Sequence, residues 1–233
     1  MRTSCFSMGH VLGAALVLPS LLLAGCGSTL FRSDFDKTMV GQPPAPTQGI
    51  GTAQIHGSAG SVIVVAPPAE PSGQWVRIGR PVPDTDVAGF QGNFLESKGD
   101  GQYTFTTTVF MPSGSGLATI QFERFGQPVS NLESFLHLDL TEDNRVRIDD
   151  DDNTKFGQFT RDQPFLVQVT LNIGEGSSNA HITLGGNANG EADHQIGPGL
   201  QLMARQFGAV RLWMGFPHTG HFDATNIVVK YKE

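Results

Sequence analysis

From Gly51 to the C-terminus, hydrophobic and polar residues alternate in short runs of period two, and Gly, Pro, Asn, Asp and Ser separate the runs. Val62 to Ala66 is closed by Pro67 and Pro68. Trp75 to Gly79 places Trp75 and Arg77 on one face and Val76 and Ile78 on the other. In "GQYTFTTTVF", Tyr103, Phe105, Thr107 and Val109 oppose Thr104, Thr106, Thr108 and Phe110. "LATIQFERFG", "SFLHLDLT", "NRVRIDD", "PFLVQVTLNIG", "NAHITLGG", "GLQLMARQF", "GAVRLWMGF" and "HFDATNIVVKYK" continue the rhythm. β-branched and aromatic residues fill these runs, and no apolar stripe of helical period extends beyond about two turns. Between Gln195 and Gln206 both a helical segment and a strand pair fit the spacing.

About eleven runs with turn signals every eight to twelve residues predict an all-β fold, a two-sheet antiparallel sandwich or a barrel. The length of about 183 residues suits a jelly-roll-like sandwich better than an immunoglobulin-like module of about 100. The 29 Gly and 14 Pro punctuate the strands as such a fold requires.

The N-terminus carries a different pattern. An apolar run from Val11 to Leu23 falls short of the roughly 20 residues that span a bilayer, so it reads as a targeting segment. It ends in "LAGC" at residues 23–26, which resembles the lipobox of bacterial lipoproteins. The resemblance implies acylation of Cys26, loss of residues 1–25 as a signal peptide, and a lipid bilayer as a partner through that cysteine. Residue 27 is Gly and not the Asp that retains such proteins at an inner membrane, so the expected location is the outer membrane, facing the periplasm. Residues 26–50, with Pro43, Pro44 and Pro46, read as an extended tether, the alternative being that Phe31 and Phe35 dock on the domain as a first strand, and residues 51–233 read as a single domain.

Cys5 leaves with the signal and Cys26 is consumed by the lipid, so no thiol remains for a disulfide, a thiolate metal site or a nucleophile. Losing Arg2 leaves 14 of the 15 Lys and Arg against 22 Asp and Glu, a formal charge of −8. That balance argues against nucleic acid as a partner. Nucleophile-elbow, H-E-x-x-H, Walker and dinucleotide-binding motifs are all missing from the sequence.

Four constellations remain. In "VRLWMGF" the apolar face Leu212, Met214 and Phe216 belongs to the core, which sends Trp213 outward beside Arg211; Trp75 and Arg77 repeat the pairing. An exposed indole beside a guanidinium makes a platform for a sugar ring or a partner protein, whereas the plainer reading buries each Trp under a loop. The run "DDDD" at 149–152 puts Asp149, Asp151 and Asn153 at the first, third and fifth places of a calcium loop, but Thr154 and Thr160 stand where Gly and Glu are needed. A structural Ca²⁺ or a solvated hairpin tip fits there, and no other cofactor is expected. His218, His221 and Asp223 form a second metal candidate without a visible fourth ligand. Glu123 and Asp139 are the acids set inside apolar runs, and a glycosidase would need two such groups about 5–9 Å apart in a cleft.

The closing "GHFDATNIVVKY" after "AVRLWMGF" resembles the last strands of jelly-roll modules in extracellular carbohydrate-binding and concanavalin-like domains. The resemblance implies glycan recognition. With no catalytic residue assigned, the sequence reading is a lipid-anchored envelope protein of non-enzymatic structural or binding role, recognising a glycan or an envelope protein. The alternatives are an assembly lipoprotein without a small ligand, and a polysaccharide-acting hydrolase or lyase.

Overall fold

The structure is a computed structural model that describes residues 27–81, 87–128 and 133–233. Residues 1–26, and with them the signal peptide and Cys26, lie outside the described residues. The strands are β1 (Ser28–Ser33), β2 (Thr52–His56), β3 (Val62–Val65), β4 (Trp75–Arg80), β5 (Ala88–Asn93), β6 (Gly101–Phe110), β7 (Ala118–Arg124) and β8 (Ser134–Leu140). They continue with β9 (Val146–Ile148), β10 (Asp151–Phe156), β11 (Gln158–Phe159), β12 (Pro164–Ile173), β13 (Ser178–Gly186), β14 (Ala188–Gln195), β15 (Phe207–Met214) and β16 (Gly220–Lys232). A short α-helix, α1 (Gln201–Ala204), follows a 3₁₀ turn, so the ambiguous stretch after Gln195 is one helical turn rather than a strand pair.

The strands form the two-sheet antiparallel sandwich that the alternation predicts. One sheet has the order β11-β14-β13-β12-β6-β16-β4-β3, with β1 also paired to β16; the other has the order β10-β9-β8-β7-β15-β5-β2. The 13-residue β16 serves two neighbours on one side: its first half pairs with β4 from Gly220 to Ala224, and its second half with β1 from Ile227 to Tyr231. The inward faces interdigitate, with Phe105 of β6 edge-on to Phe122 of β7 at 5.3 Å, and Tyr103 edge-on to Phe207 at 5.1 Å. Irregular register at Phe122/Glu123 and at Phe207/Ala209 turns Phe135 and Phe207 into this aromatic layer.

The N-terminal segment departs from the expected tether. Leu30, Phe31 and Phe35 are buried, and both Phe rings pack on Phe90. A Cβ on Gly92 would lie 2.5 Å from Cζ of Phe31, so Gly92 leaves the space that this ring fills. The Pro-rich stretch lies along β2, where Ala53 N donates to Pro46 O at 2.7 Å. Residues 28–50 are therefore an integral edge of the sandwich, because two aromatic side chains there bury more apolar surface than an extended tether could leave in water.

Candidate functional site

The outer face of the seven-stranded sheet carries a polar strip that strand alternation generates. Thr119, Gln121 and Glu123 of β7 project to the side opposite Ile120 and Phe122, and His137 and Asp139 of β8 join them. Arg147 of β9 pairs directly with Asp139, and Trp213 of β15 with Thr119. At one end the strip is sealed. Arg211 donates to Gln91 Oε1 at 2.8 Å and to Glu123 Oε2 at 2.9 Å, and Gln91 Nε2 donates to Gln127 O at 2.8 Å. Burial there outweighs the Arg211 charge and pushes the Glu123 carboxyl up to about 7.

At the other end the strip opens into a cleft of about 260 Å³ lined by Gln121, His137, Asp139, Arg147, Asp150, Trp213, Phe216 and His218 among others. Its chemistry centres on two carboxyl groups and one guanidinium. Arg147 Nη2 donates to Asp139 Oδ2 at 2.8 Å and to Asp150 Oδ1 at 2.9 Å. Arg147 Nε adds a second bond to Asp139 at 3.0 Å, and Thr119 Oγ1 donates to Asp139 Oδ1 at 2.7 Å. Both acids bond the same Nη2, so their bonded oxygens lie no more than about 6 Å apart, and the two carboxyl groups are close enough to hydrogen-bond each other.

The two carboxyl groups differ in environment. Asp139 is buried, which raises its proton affinity against the hydrogen bonds from Thr119 and Arg147, and the Asp150 charge raises it further. The Asp150 side chain is 68% exposed. Burial opposes the charge on Arg147, but its bonds to Asp139 and Asp152 and the field of Asp150 prevail and hold it more firmly protonated than usual. The guanidinium keeps its charge because three acids share it, while the cost of burying Asp139 falls on Asp139 alone. The walls are aromatic: Trp213 is partly exposed, and Phe216, 71% exposed, stands in the loop after β15. Trp213 Nε1 and Gln121 Oε1 are buried beside the cleft with no hydrogen-bond partner among the described residues.

The other candidate residues are placed as follows. Trp75 is fully buried with its Nε1 donating to Pro71 O, and Arg77 forms a two-bond pair with Asp223, so these two give no open platform. Arg211 is closed inside the sealed network, and Trp213 keeps its place in the cleft without it. Asp223 is committed to Arg77 and His218 bonds Glu142, while burial lowers the proton affinity of His221; the three do not converge. Of the four aspartates, Asp149 and Asp150 form a two-residue hairpin turn with positive φ (52° and 60°) between the paired Ile148 and Asp151, and Asp151 and Asp152 begin β10. Asp149 accepts from His137 N and contacts His194, and Asp151 accepts from Asn153. Among the described residues no group of three or more His, Cys, Asp or Glu is placed to hold a metal ion.

Glu123 and Asp139 share a face but do not face each other. Asp139 opposes Thr119, four residues along β7 from Glu123, a separation of roughly 13 Å at about 3.3 Å per residue. The acid near Asp139 is instead Asp150, which sequence reading left inside the acidic turn. A cross-strand hairpin reading of Asp139 with Arg147 would have found it, since the turn after Ile148 returns Asp150 over that guanidinium. Phe216 was assigned to the core by extending the β15 alternation past the end of the strand.

No protein-family model matches the chain, and no curated protein matches it. Solved structures do. An endo-1,3-beta-glucanase from Streptomyces sioyaensis superposes over 94% of this chain and 99% of its own, with a TM-score of 0.53 at 12% identity. Lectin II from Ulex europaeus covers 81% of this chain and 95% of its own at TM-score 0.48 and 9% identity. Trypanosoma rangeli sialidase covers 84% of this chain but 34% of its own at TM-score 0.43 and 14% identity. At these identities the likeness is one of fold. The expectation of a non-enzymatic role is corrected by the glucanase match: over nearly its whole length the chain shares its β-sandwich fold with that enzyme.

Proposed function

We propose that the chain is a polysaccharide-acting hydrolase of the cell envelope, with Asp139 and Asp150 as its working carboxyl groups. The observation that carries this reading is the pair of carboxyl groups on the single Arg147 guanidinium, in a cleft walled by Trp213 and Phe216. Buried Asp139, with its raised proton affinity, is the group to protonate the departing glycosidic oxygen. Exposed Asp150, bonded to Arg147, attacks the anomeric carbon, and water then releases the sugar with Asp139 acting as base. Arg147 fixes the distance between the two acids and keeps the pair from carrying two uncompensated charges. The aromatic side chains supply flat apolar faces for sugar rings.

The same reading gives the chain an address. We infer that "LAGC" is processed as a lipobox, that residues 1–25 are removed, and that acylated Cys26 holds the domain at the outer membrane, facing the periplasm. Among the described residues no helix is long and apolar enough to cross a membrane.

The test is release of reducing ends from a panel of polysaccharides, with 1,3-β-glucan first because the glucanase of like fold is so described. Asp139→Asn and Asp150→Asn are each expected to lower kcat by about 10²–10⁴. Because Asp150 is exposed, its variant keeps the wild-type melting temperature and separates lost chemistry from lost fold. A wild-type protein that cleaves nothing in the panel overturns the reading.

A further inference from the structure

The topology sorts the ends of the sandwich into two groups. At one end lie the start of β1, where Ser28 pairs with Tyr231, and the start of β6, where Gln102 pairs with Lys232. The loop before β6 joins them through Tyr231 Oη, which donates to Asp100 O at 2.8 Å. The loops after β5 and β7 and the segment before β15 close on the same end, since Phe94 N donates to Gly208 O and Phe125 N to Gln206 O. At the opposite end lie the loop between β6 and β7 and the loop between β15 and β16, joined by Gly116 N donating to Thr219 O. Trp213, Phe216, His218 and Asp139 belong to that second end.

In sequence, Cys26 stands next to the start of β1, which lies at the first end. Gly27 alone separates Cys26 from β1, and at about 3.3–3.6 Å per residue this leaves no room for a spacer. Three of the large exposed apolar side chains stand at this end: Leu95 (70% exposed), Leu202 of α1 (69%) and Phe125 (43%). Lys98 pairs with Glu96 and Arg205 with Asp100 at this end, where Glu175, Lys232 and Glu233 also stand. Exposed apolar groups beside a lipid attachment point are suited to burial among headgroups.

We propose that the sandwich rests directly on the bilayer through Leu95, Phe125 and Leu202, so that the cleft opens away from the membrane. The eight residues of β15 run between the two ends and set the cleft roughly 25 Å above the lipid surface. A short, rigid attachment of this kind directs the cleft at polymer outside the bilayer and keeps lipid headgroups out of it. The inference rests on the acylation of Cys26 proposed above.

Acylation blocks Cys26 and signal removal takes Cys5, so one introduced cysteine is a unique labelling site. The full chain carrying Leu202→Cys, or Gln163→Cys just before β12 at the cleft end, is purified from a lipoprotein-processing host. It is labelled with a fluorophore and reconstituted in vesicles containing a nitroxide-headgroup lipid. Quenching at position 202 is expected to exceed that at position 163 several-fold. Equal quenching, or stronger quenching at 163, overturns the orientation while leaving the anchor intact. An intact mass showing unmodified Cys26 in the wild-type chain overturns the anchor and the orientation together.

Discussion

Glu123 shows what a buried charge does when its partner is shared. Arg211 bonds one carboxylate oxygen, Oε2, and also serves Gln91 and Pro128 O, while Glu123 Oε1 has no partner among the described residues. Burial therefore wins, and the carboxyl holds its proton up to about 7 instead of the ordinary 4.5. Between those values the folded chain binds more protons than the unfolded chain at this site, so its contribution to stability is full below 4.5 and is lost as pH rises through 7. The denaturant midpoint of the wild type is expected to fall from pH 5 to pH 8, and Glu123→Gln to remove part of that slope; parallel slopes would show that Glu123 does not titrate there. Glu123 was legible as an acid in an apolar strand, but its partner was not. Arg211 lies 88 residues away, and the adjacency of β7 and β15 that joins them is a fact of topology.

At the scale of the element, the strands were legible because period two is written locally, whereas β1 was hidden by the company it keeps. Its "STLFRS" sits between a lipobox-like cysteine and a Pro-rich stretch, and each neighbour suggests a segment outside the fold. What overrides them is long-range pairing with the second half of β16 and the space that Gly92 leaves for Phe31. Phe31→Ala is accordingly expected to lower stability by about 3–5 kcal/mol in a denaturant titration, the range for removing a buried Phe. A tether residue would give no change. The acidic hairpin teaches the reverse lesson. Asp149 and Asp150 answer a backbone demand for two left-handed residues, and Arg147 and Lys155 offset the charges of Asp150 and Asp152. The metal-loop pattern in this stretch was composition and spacing without convergence, and the same turn delivers Asp150 to the cleft.

Over the whole molecule, alternation was enough to specify two facing sheets, because the central strands each write one apolar face and the two faces have only each other to bury against, while β10 and β14 bury no residue fully on either face. The order of strands within each sheet, and therefore the site, was not written locally. The Asp139, Arg147 and Asp150 cluster needs only the hairpin from β8 to β10, but its cleft also needs Trp213 and Phe216 from beyond residue 200. This shared construction makes cooperativity testable with the two native indoles. Trp75 belongs to the nine-stranded sheet and lies buried against Pro71, while Trp213 belongs to the seven-stranded sheet and lines the cleft. Because the sheets bury their inner faces in one continuous core, neither has an apolar surface that it could keep covered alone. Single-Trp chains made by Trp75→Phe and by Trp213→Phe are expected to unfold with the same cooperativity by fluorescence, each coincident with its own far-ultraviolet circular dichroism. A fluorescence transition that precedes the circular dichroism in either chain would mean that one sheet loosens first, and that the cleft is supported by its own sheet rather than by the sandwich.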